Sequence, residues 1–254
     1  MIGPGEGRDP PLPPRRARAE RGLGAGLAHI GVIKALTEAG IGPAVVTGTS
    51  AGSLIGAAFA AGMGWQELAE MARTVFWPAL LAGSRLERFC ARHLPDTFAE
   101  LRLPFAALAT RLPSREPVTL REGRLASAIS ASCALRVVRR PVVREGERLK
   151  DGGIVCVLPT EACRALGAEF VIASDVWELG SLLRGLGFHP RHPYGLRVYP
   201  SHYRRAVRHA DLLVTPAIPP AGYVPGAPAV ERMIAAGERA TQRALAAFGE
   251  GAAA

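Results

Sequence analysis

Short apolar runs and stretches of helical periodicity alternate along most of the chain. Four runs have the length and the β-branched or apolar character of buried strands: Ala44–Thr47, Phe105–Thr110, Phe170–Val176 and Asp211–Pro216. Helices are predicted between and after them, at Leu27–Leu36, Ser53–Ala61, Arg124–Cys133, Pro159–Leu166 and Ala229–Phe248. Strands that alternate with helices predict an α/β fold whose sheet is covered on its faces.

The beginning of the chain has a different composition. Residues Met1–Arg21 are rich in proline, glycine and arginine. Four of the prolines (Pro10, Pro11, Pro13 and Pro14) remove the N–H donors that an interior strand needs. We therefore predict a disordered tail over residues 1–21 and a single folded domain over residues 22–250.

The charge of the chain is strongly basic, with a formal net charge of +9 and a pI of about 10.2. Of the 31 basic residues, all but Lys34 and Lys150 are arginine. Such a surface favours anionic partners, phospholipid head groups among them, but a solvated basic face is an equal alternative. Since no nucleic-acid recognition motif accompanies the charge, we expect no nucleic-acid partner.

The four cysteines show no metal-ligand spacing and are typical of reduced thiols in a cytosolic protein. The first 20 residues have no apolar core of a secretory signal, and no run is long enough to span a bilayer. These features predict a cytoplasmic protein. Whether it also contacts the inner membrane surface stays open, as does its oligomeric state.

The most distinctive motif is the serine corner Gly48-Thr49-Ser50-Ala51-Gly52. It matches G-x-S-x-G between an apolar strand and a helix of small residues, the context in which this motif presents a nucleophile. Gly48 and Gly52 would let neighbouring backbone pass close by, and the helix N-terminus after Ser50 favours developing negative charge. The alternative is that Ser50 simply caps the helix, which is a common role for serine.

A nucleophilic serine needs a base, and the sequence offers one at Asp151-Gly152-Gly153. A carboxylate on an open turn can accept the serine proton directly if the two groups are within hydrogen-bond distance. Asp-Gly-Gly is also an ordinary turn signal. A Ser-His-Asp hydrolase is less consistent with the sequence, because only one helix precedes the serine corner.

Several of these segments together resemble the patatin-like phospholipases, in particular the compact bacterial members. The resemblance rests on "GLAHIGVIKALTEAGI", "GTSAGS", "EGRLASAISASCAL", "LKDGGIVCVLPTEACRALGAEFVIASDV" and "ADLLVTP". It implies a three-layer α/β fold with a mostly parallel central sheet and helices on both faces. It also implies a lipid acyl hydrolase that uses no metal or other cofactor, with Ser50 as the nucleophile and Asp151 as its base.

The chain departs from the family pattern before its first helix. The family has an apolar strand and then a glycine-rich loop with an arginine, whose N–H groups form the oxyanion hole. Here the loop position carries Gly22, Gly24 and Gly26 but no arginine, and "PPLPPRRARAE" stands where the strand would be. Two explanations stay open: a degenerate homologue, or a start-site or frame error that displaces the natural beginning.

These observations lead to two functional hypotheses. The first is a serine acyl hydrolase that cleaves fatty acyl esters through an acyl-enzyme. The second is a catalytically impaired patatin-like protein that binds a lipid or a protein partner through the same cleft.

Overall fold

The computed structural model describes residues 24–75, 80, 84–135, 139–190, 198–218 and 226–252. The tail predicted over residues 1–21, and Gly22, lie outside these ranges. The helices are α1 Ala28–Glu38, α2 Ala51–Ala60, α3 Trp65–Thr74, α4 Arg85–His93, α5 Leu125–Ser132, α6 Thr160–Ala165, α7 Glu178–Gly185, α8 Ser201–Arg208 and α9 Ala227–Ala252. The strands are β1 Val46–Thr49, β2 Phe105–Leu112, β3 Pro117–Leu120, β4 Val142–Arg144, β5 Glu147–Asp151, β6 Ile172–Ser174 and β7 Leu212–Val214.

The strands pair around β2. Strand β1 pairs with β2 in parallel, and β6 pairs with β7 in parallel. Strand β5 pairs antiparallel with β2 on the same edge as β1, so that β1 and β5 meet end to end beside Leu108 and Ala109. Strand β3 pairs antiparallel with the opposite edge of β2, and β4 continues the sheet antiparallel to β5. The predicted α/β fold is thus confirmed. Among the described strands, the pairs β1–β2 and β6–β7 are parallel, and the pairs of β2 with β3, β2 with β5 and β4 with β5 are antiparallel.

Helices cover both faces of β1. The Val46 side chain lies against Gly56 of α2, whereas the Thr47 hydroxyl donates a hydrogen bond to the carbonyl of Pro159, 3.2 Å away at the start of α6. Successive side chains of a strand point to opposite faces, so α2 and α6 pack on opposite sides of the sheet. This is the layered arrangement predicted from the sequence.

Helices α1 and α9 approach each other so closely that glycine is required at the crossing. A Cβ atom on Gly31 would lie 1.8 Å from the Ile234 carbonyl oxygen, and one on Gly237 would lie 1.9 Å from the Ala28 carbonyl oxygen. Both atoms belong to helical backbone, which cannot move aside as the end of a flexible side chain can. The two glycines therefore set the distance between the helices, and with it the position of α1 beside the serine corner.

We predict that Gly237→Ala lowers the free energy of unfolding by about 2–3 kcal/mol, because overpacking at a rigid contact forces the helices apart. Gly249→Ala in the same helix is the matched control. Nothing lies within 4 Å of a Cβ atom built there. That substitution should raise stability by up to about 1 kcal/mol through helix propensity alone. Urea denaturation of the two variants measures both effects, and equal stabilities would contradict the close-packing interpretation.

Candidate active site

Ser50 lies on a strained corner between β1 and α2. Its backbone has φ 53° and ψ −124°, a conformation with positive φ that a non-glycine residue adopts at a cost of about 1–3 kcal/mol. Neighbouring backbone is packed into the corner, since a Cβ atom on Gly48 would lie 2.3 Å from the carbonyl oxygen of Gly52. The Ser50 side chain makes no capping hydrogen bond to helix α2. Ser50 therefore occupies the N-cap position of α2 without capping the helix through its side chain.

The Ser50 hydroxyl instead donates a hydrogen bond to Asp151, with 2.8 Å between Oγ and Oδ2. The sheet brings the two residues together across 101 positions of sequence. Thr49 lies beside Leu108 of β2 in the parallel pair, and Asp151 at the end of β5 lies beside Ala109 of the same strand. Two neighbours on β2 thus position the hydroxyl and the carboxylate.

Asp151 is buried, and hydrogen bonds fix both its carboxylate and its backbone carbonyl. Its Oδ1 accepts a hydrogen bond from the Gly153 N–H at 2.8 Å, and the Thr110 hydroxyl donates to the Asp151 carbonyl at 2.8 Å. Gly152 follows directly, where a Cβ atom would lie 2.2 Å from the Leu108 carbonyl oxygen. The sequence identified Gly152 and Gly153 as turn glycines, and they form a 3₁₀ turn at Gly152–Ile154 that closes against β2.

Burial also tunes the proton affinity of this carboxylate. It raises the pKa of Asp151 from 3.8 to about 6, and the hydrogen bonds from Ser50 and Gly153 oppose the rise. A carboxyl group with this pKa is ionised at neutral pH, yet it is a stronger base than a surface aspartate. Asp151 therefore has the properties of a general base toward the Ser50 hydroxyl.

Three small polar residues that the sequence analysis did not assign hold the serine corner in place. The Ser50 N–H donates to Ser132 Oγ at 2.9 Å, and Ser132 donates in turn to the Leu108 carbonyl at 2.6 Å. The Ser53 hydroxyl donates to the Ser50 carbonyl at 2.6 Å, and the Cys133 thiol donates to the same carbonyl at 3.1 Å. Ser132 and Cys133 belong to the run of small residues at the end of α5, and Ser53 belongs to the run of small residues in α2; such runs can approach a neighbouring backbone closely.

Gly24 and Gly26 lie in a helical turn that leads into α1, where the sequence predicted a flexible loop. The Leu27 N–H donates to the Gly24 carbonyl at 3.1 Å, which closes the turn. Gly26 packs on the residue after the serine, since a Cβ atom on Gly26 would lie 2.3 Å from the Ala51 Cβ. The described glycines of the predicted oxyanion segment are therefore next to the beginning of α2, and Gly22 lies outside the described residues.

His29 is a further residue that the sequence analysis did not assign. Its Nδ1 lies 2.8 Å from Ser174 Oγ at the end of β6, and its Nε2 lies 3.4 Å from where a Cβ atom on Gly52 would be. Burial lowers the pKa of His29 to about 4, although the negative charge of Asp175 acts to raise that pKa. The ring is therefore neutral at physiological pH, and it links α1 to the carboxyl ends of two strands.

Ser50 and Asp151 face a cleft of about 1630 Å³ whose walls are mostly apolar. The described residues contain no group of three or more histidine, cysteine, aspartate or glutamate side chains that could hold a metal ion. Likewise, no helix in the described ranges is both long and apolar enough to cross a bilayer. The chemistry available at the cleft is that of a hydroxyl paired with a carboxylate.

Parts of the chain are similar in sequence to known proteins. A family model described as Patatin-like phospholipase matches residues 22–80, which include the serine corner. The chain is 34% identical over 170 residues to patatin-like phospholipase domain-containing protein 6 of Mus musculus; the aligned region covers 59% of this chain and 12% of the mouse protein. The chain is 35% identical over 175 residues to an uncharacterized NTE family protein of Mycobacterium tuberculosis; the aligned region covers 63% of this chain and 48% of the mycobacterial protein.

The fold is an α/β fold, and over part of its length the chain is similar to patatin-like phospholipases and NTE family proteins. The chain spans about half the length of the mycobacterial relative and about an eighth of the mouse relative. The family-model match over residues 22–80 covers the elements that carry Ser50, while the activities of the whole relatives belong to those proteins.

Proposed function

We propose that this protein is a serine acyl hydrolase that cleaves fatty acyl esters of lipids. The observation that supports this most strongly is the 2.8 Å hydrogen bond from the Ser50 hydroxyl to the buried carboxylate of Asp151. The pair faces an apolar cleft that can shelter an acyl group from water. Patatin-like relatives make a lipid ester the substrate class to test first.

The proposed reaction has two steps. Ser50 Oγ attacks the ester carbonyl carbon while Asp151 accepts the hydroxyl proton, and the tetrahedral intermediate expels the alcohol, which takes that proton. Water then attacks the acyl-serine ester and gives its proton to Asp151. The fatty acid leaves, and the proton returns to Ser50. Because the carboxylate alternates between base and acid, its pKa near 6 is well matched to neutral pH.

The negative charge of the tetrahedral oxygen needs N–H donors. The Ser50 N–H is already bound to Ser132 Oγ, so it is not available. The Ala51 N–H is in the first turn of α2, where helical N–H groups have no partner within the helix. We assign the oxyanion site to Ala51 and to the neighbouring turn that carries Gly24 and Gly26, with Gly22 as a candidate outside the described residues.

An exposed apolar face beside the cleft supports a lipid substrate. Leu179 and Leu182 of α7, and Leu186 directly after it, border the cleft and are 49%, 60% and 64% exposed. Their spacing places them on one side of the helix. Together with the net charge of +9, this face supports peripheral contact between a cytoplasmic enzyme and an anionic lipid surface.

The direct test is hydrolysis of a p-nitrophenyl acyl ester. We predict that Ser50→Ala lowers kcat by at least about 10³-fold, because the nucleophile is lost. Asp151→Asn should lower it by about 10²–10⁴-fold, because the near-isosteric amide cannot accept a proton. The circular dichroism spectra and melting temperatures of the variants serve as folding controls.

Equal rates for the wild-type protein and Ser50→Ala would reject catalysis by Ser50. A folded wild-type protein that binds an acyl ester but does not hydrolyse it would favour the alternative, a patatin-like protein that retains the cleft only for binding.

The oxyanion assignment has its own test at Gly26. We predict that Gly26→Ala lowers kcat by about 10²-fold, because the new methyl group collides with Ala51 and displaces the turn by roughly an ångström. The double variant Gly26→Ala/Ala51→Gly removes that collision and should recover most of the rate. If Gly26→Ala is as active as the wild-type protein, or if the double variant recovers nothing, the assignment to this turn is wrong.

A further inference from the structure

The end of helix α5 contacts the backbone of both Ser50 and Asp151. Ser132 is the last residue of this helix, and its Oγ accepts a hydrogen bond from the Ser50 N–H at 2.9 Å. Cys133 follows, and its thiol donates to the Ser50 carbonyl at 3.1 Å. The next residue, Ala134, accepts a hydrogen bond from the Asp151 N–H at 3.1 Å through its carbonyl. Three consecutive residues thus hold peptide groups of the two residues that we propose to react.

The Ser132 side chain has a fixed orientation at this contact. Ser132 is fully buried, and its hydroxyl donates to the Leu108 carbonyl at 2.6 Å, which leaves an oxygen lone pair to accept from the Ser50 N–H. Leu108 lies on β2, where it pairs with Thr49 immediately before the serine corner. One hydroxyl therefore ties the corner to the strand that also pairs with Asp151.

Two basic side chains hold the end of α5 itself. The Arg139 guanidinium donates to the carbonyls of Ser130 and Cys133, at 3.0 and 3.5 Å. The Lys150 ammonium donates to the Leu135 carbonyl at 3.4 Å and also to the carbonyl of Arg139. The last carbonyls of a helix have no partner within it, so Arg139 satisfies groups that would otherwise be free. Lys150 fixes the segment that follows, and the end of α5 is therefore a firm support.

The backbone of Ser50 requires such a support. Its φ of 53° and ψ of −124° lie outside the regions that residues with a side chain prefer. A strained conformation persists only where the surrounding contacts over-determine it. Ser132 holds the N–H of Ser50, while Cys133 and the Ser53 hydroxyl, at 2.6 Å, both hold its carbonyl. Releasing the N–H would let the corner relax and carry the Ser50 Oγ away from Asp151.

We propose that Ser132 is a positioning residue that keeps the Ser50 hydroxyl within hydrogen-bond distance of the Asp151 carboxylate. This inference rests on the hydrolase function proposed above. Both hydrogen bonds of the Ser132 hydroxyl go to peptide groups, so the residue acts through the backbone of the nucleophile. Since a displacement of about 1 Å can cost about 10²-fold in rate, the loss of this one hydroxyl should reduce catalysis strongly.

The test compares Ser132→Ala with Ser130→Ala. Both substitutions remove a fully buried hydroxyl from α5, but the Ser130 hydroxyl accepts from Arg139 at 2.8 Å, and Arg139 keeps its two carbonyl partners without it. We predict that Ser132→Ala lowers kcat by about 10–100-fold and changes KM by less than about threefold, because the ester still binds but the hydroxyl is misplaced. Ser130→Ala should keep kcat within about threefold of the wild-type value. Melting temperatures show whether both variants are folded.

The pH dependence of kcat/KM separates displacement of the hydroxyl from a general loss of packing. The hydrogen bond from Ser50 lowers the pKa of Asp151, so weakening that bond should move the midpoint of the profile upward from about pH 6 in Ser132→Ala. A variant that is only less stable keeps the wild-type midpoint, as Ser130→Ala should. An unchanged kcat or an unchanged midpoint in a folded Ser132→Ala protein would overturn the proposal while the hydrolase function stands.

Hydrogen exchange of backbone amides, measured by NMR, tests the same contact without any enzymatic activity. In the wild-type protein the Ser50 amide should exchange at least about 100-fold more slowly than the Ala51 amide, which lies in the first turn of α2. Ser132→Ala should accelerate exchange at Ser50 by at least about tenfold, and Ser130→Ala should not. Equal exchange at Ser50 and Ala51, or no acceleration in Ser132→Ala, would show that Ser132 does not hold the corner. An inactive wild-type protein with the predicted exchange rates would reject the hydrolase function alone, so the two failures are distinguishable.

Discussion

The hydrogen bond between the Ser50 hydroxyl and the Asp151 carboxylate is the contact on which the candidate site depends. It exists because two strands meet end to end on the same edge of β2: β1 pairs with it in parallel up to Leu108, and β5 pairs with it antiparallel from Ala109. A slip of one residue in either register would turn the side chains to the other face and separate the pair. The antiparallel strand β5 is therefore part of the geometry of the candidate site, not only of the fold.

Burial of the Asp151 carboxylate lowers the stability of the fold at neutral pH, and the hydrogen bond from Ser50 offsets part of that cost. Asp151 is buried with a pKa near 6 against 3.8 when exposed, so its ionisation is less favourable in the folded chain. The folded state binds the proton more tightly, and the free energy of unfolding falls as pH rises from about 4 to about 6, by about 3 kcal/mol. The strained backbone of Ser50 adds a similar local cost. Both costs are offset by packing elsewhere, including the close crossing of α1 and α9 at Gly31 and Gly237.

The sequence was sufficient to predict the strands with uniform apolar character, and it singled out Ser50 and Asp151, which the fold brings within hydrogen-bond distance. The G-x-S-x-G corner and Asp-Gly-Gly are local signals, and the buried strands are continuous apolar runs. Strands β4 and β5 were not predicted, because their segments "VVR" and "ERLKD" mix charged and apolar residues over only three to five positions. Ser132 and His29 were not assigned roles either, since their partners are distant in sequence and only the folded chain brings them together.

The most direct measurement is the rate at which a fluorophosphonate probe modifies Ser50 as a function of pH, followed by intact-mass analysis and mapping of the labelled residue. We predict that Ser50 is modified, that the rate rises as pH passes through about 6 because Asp151 becomes ionised, and that Asp151→Asn abolishes this rise and slows labelling by about 10²-fold or more. An ordered wild-type protein whose Ser50 is never labelled would contradict the account, and so would labelling that is unchanged in the asparagine variant.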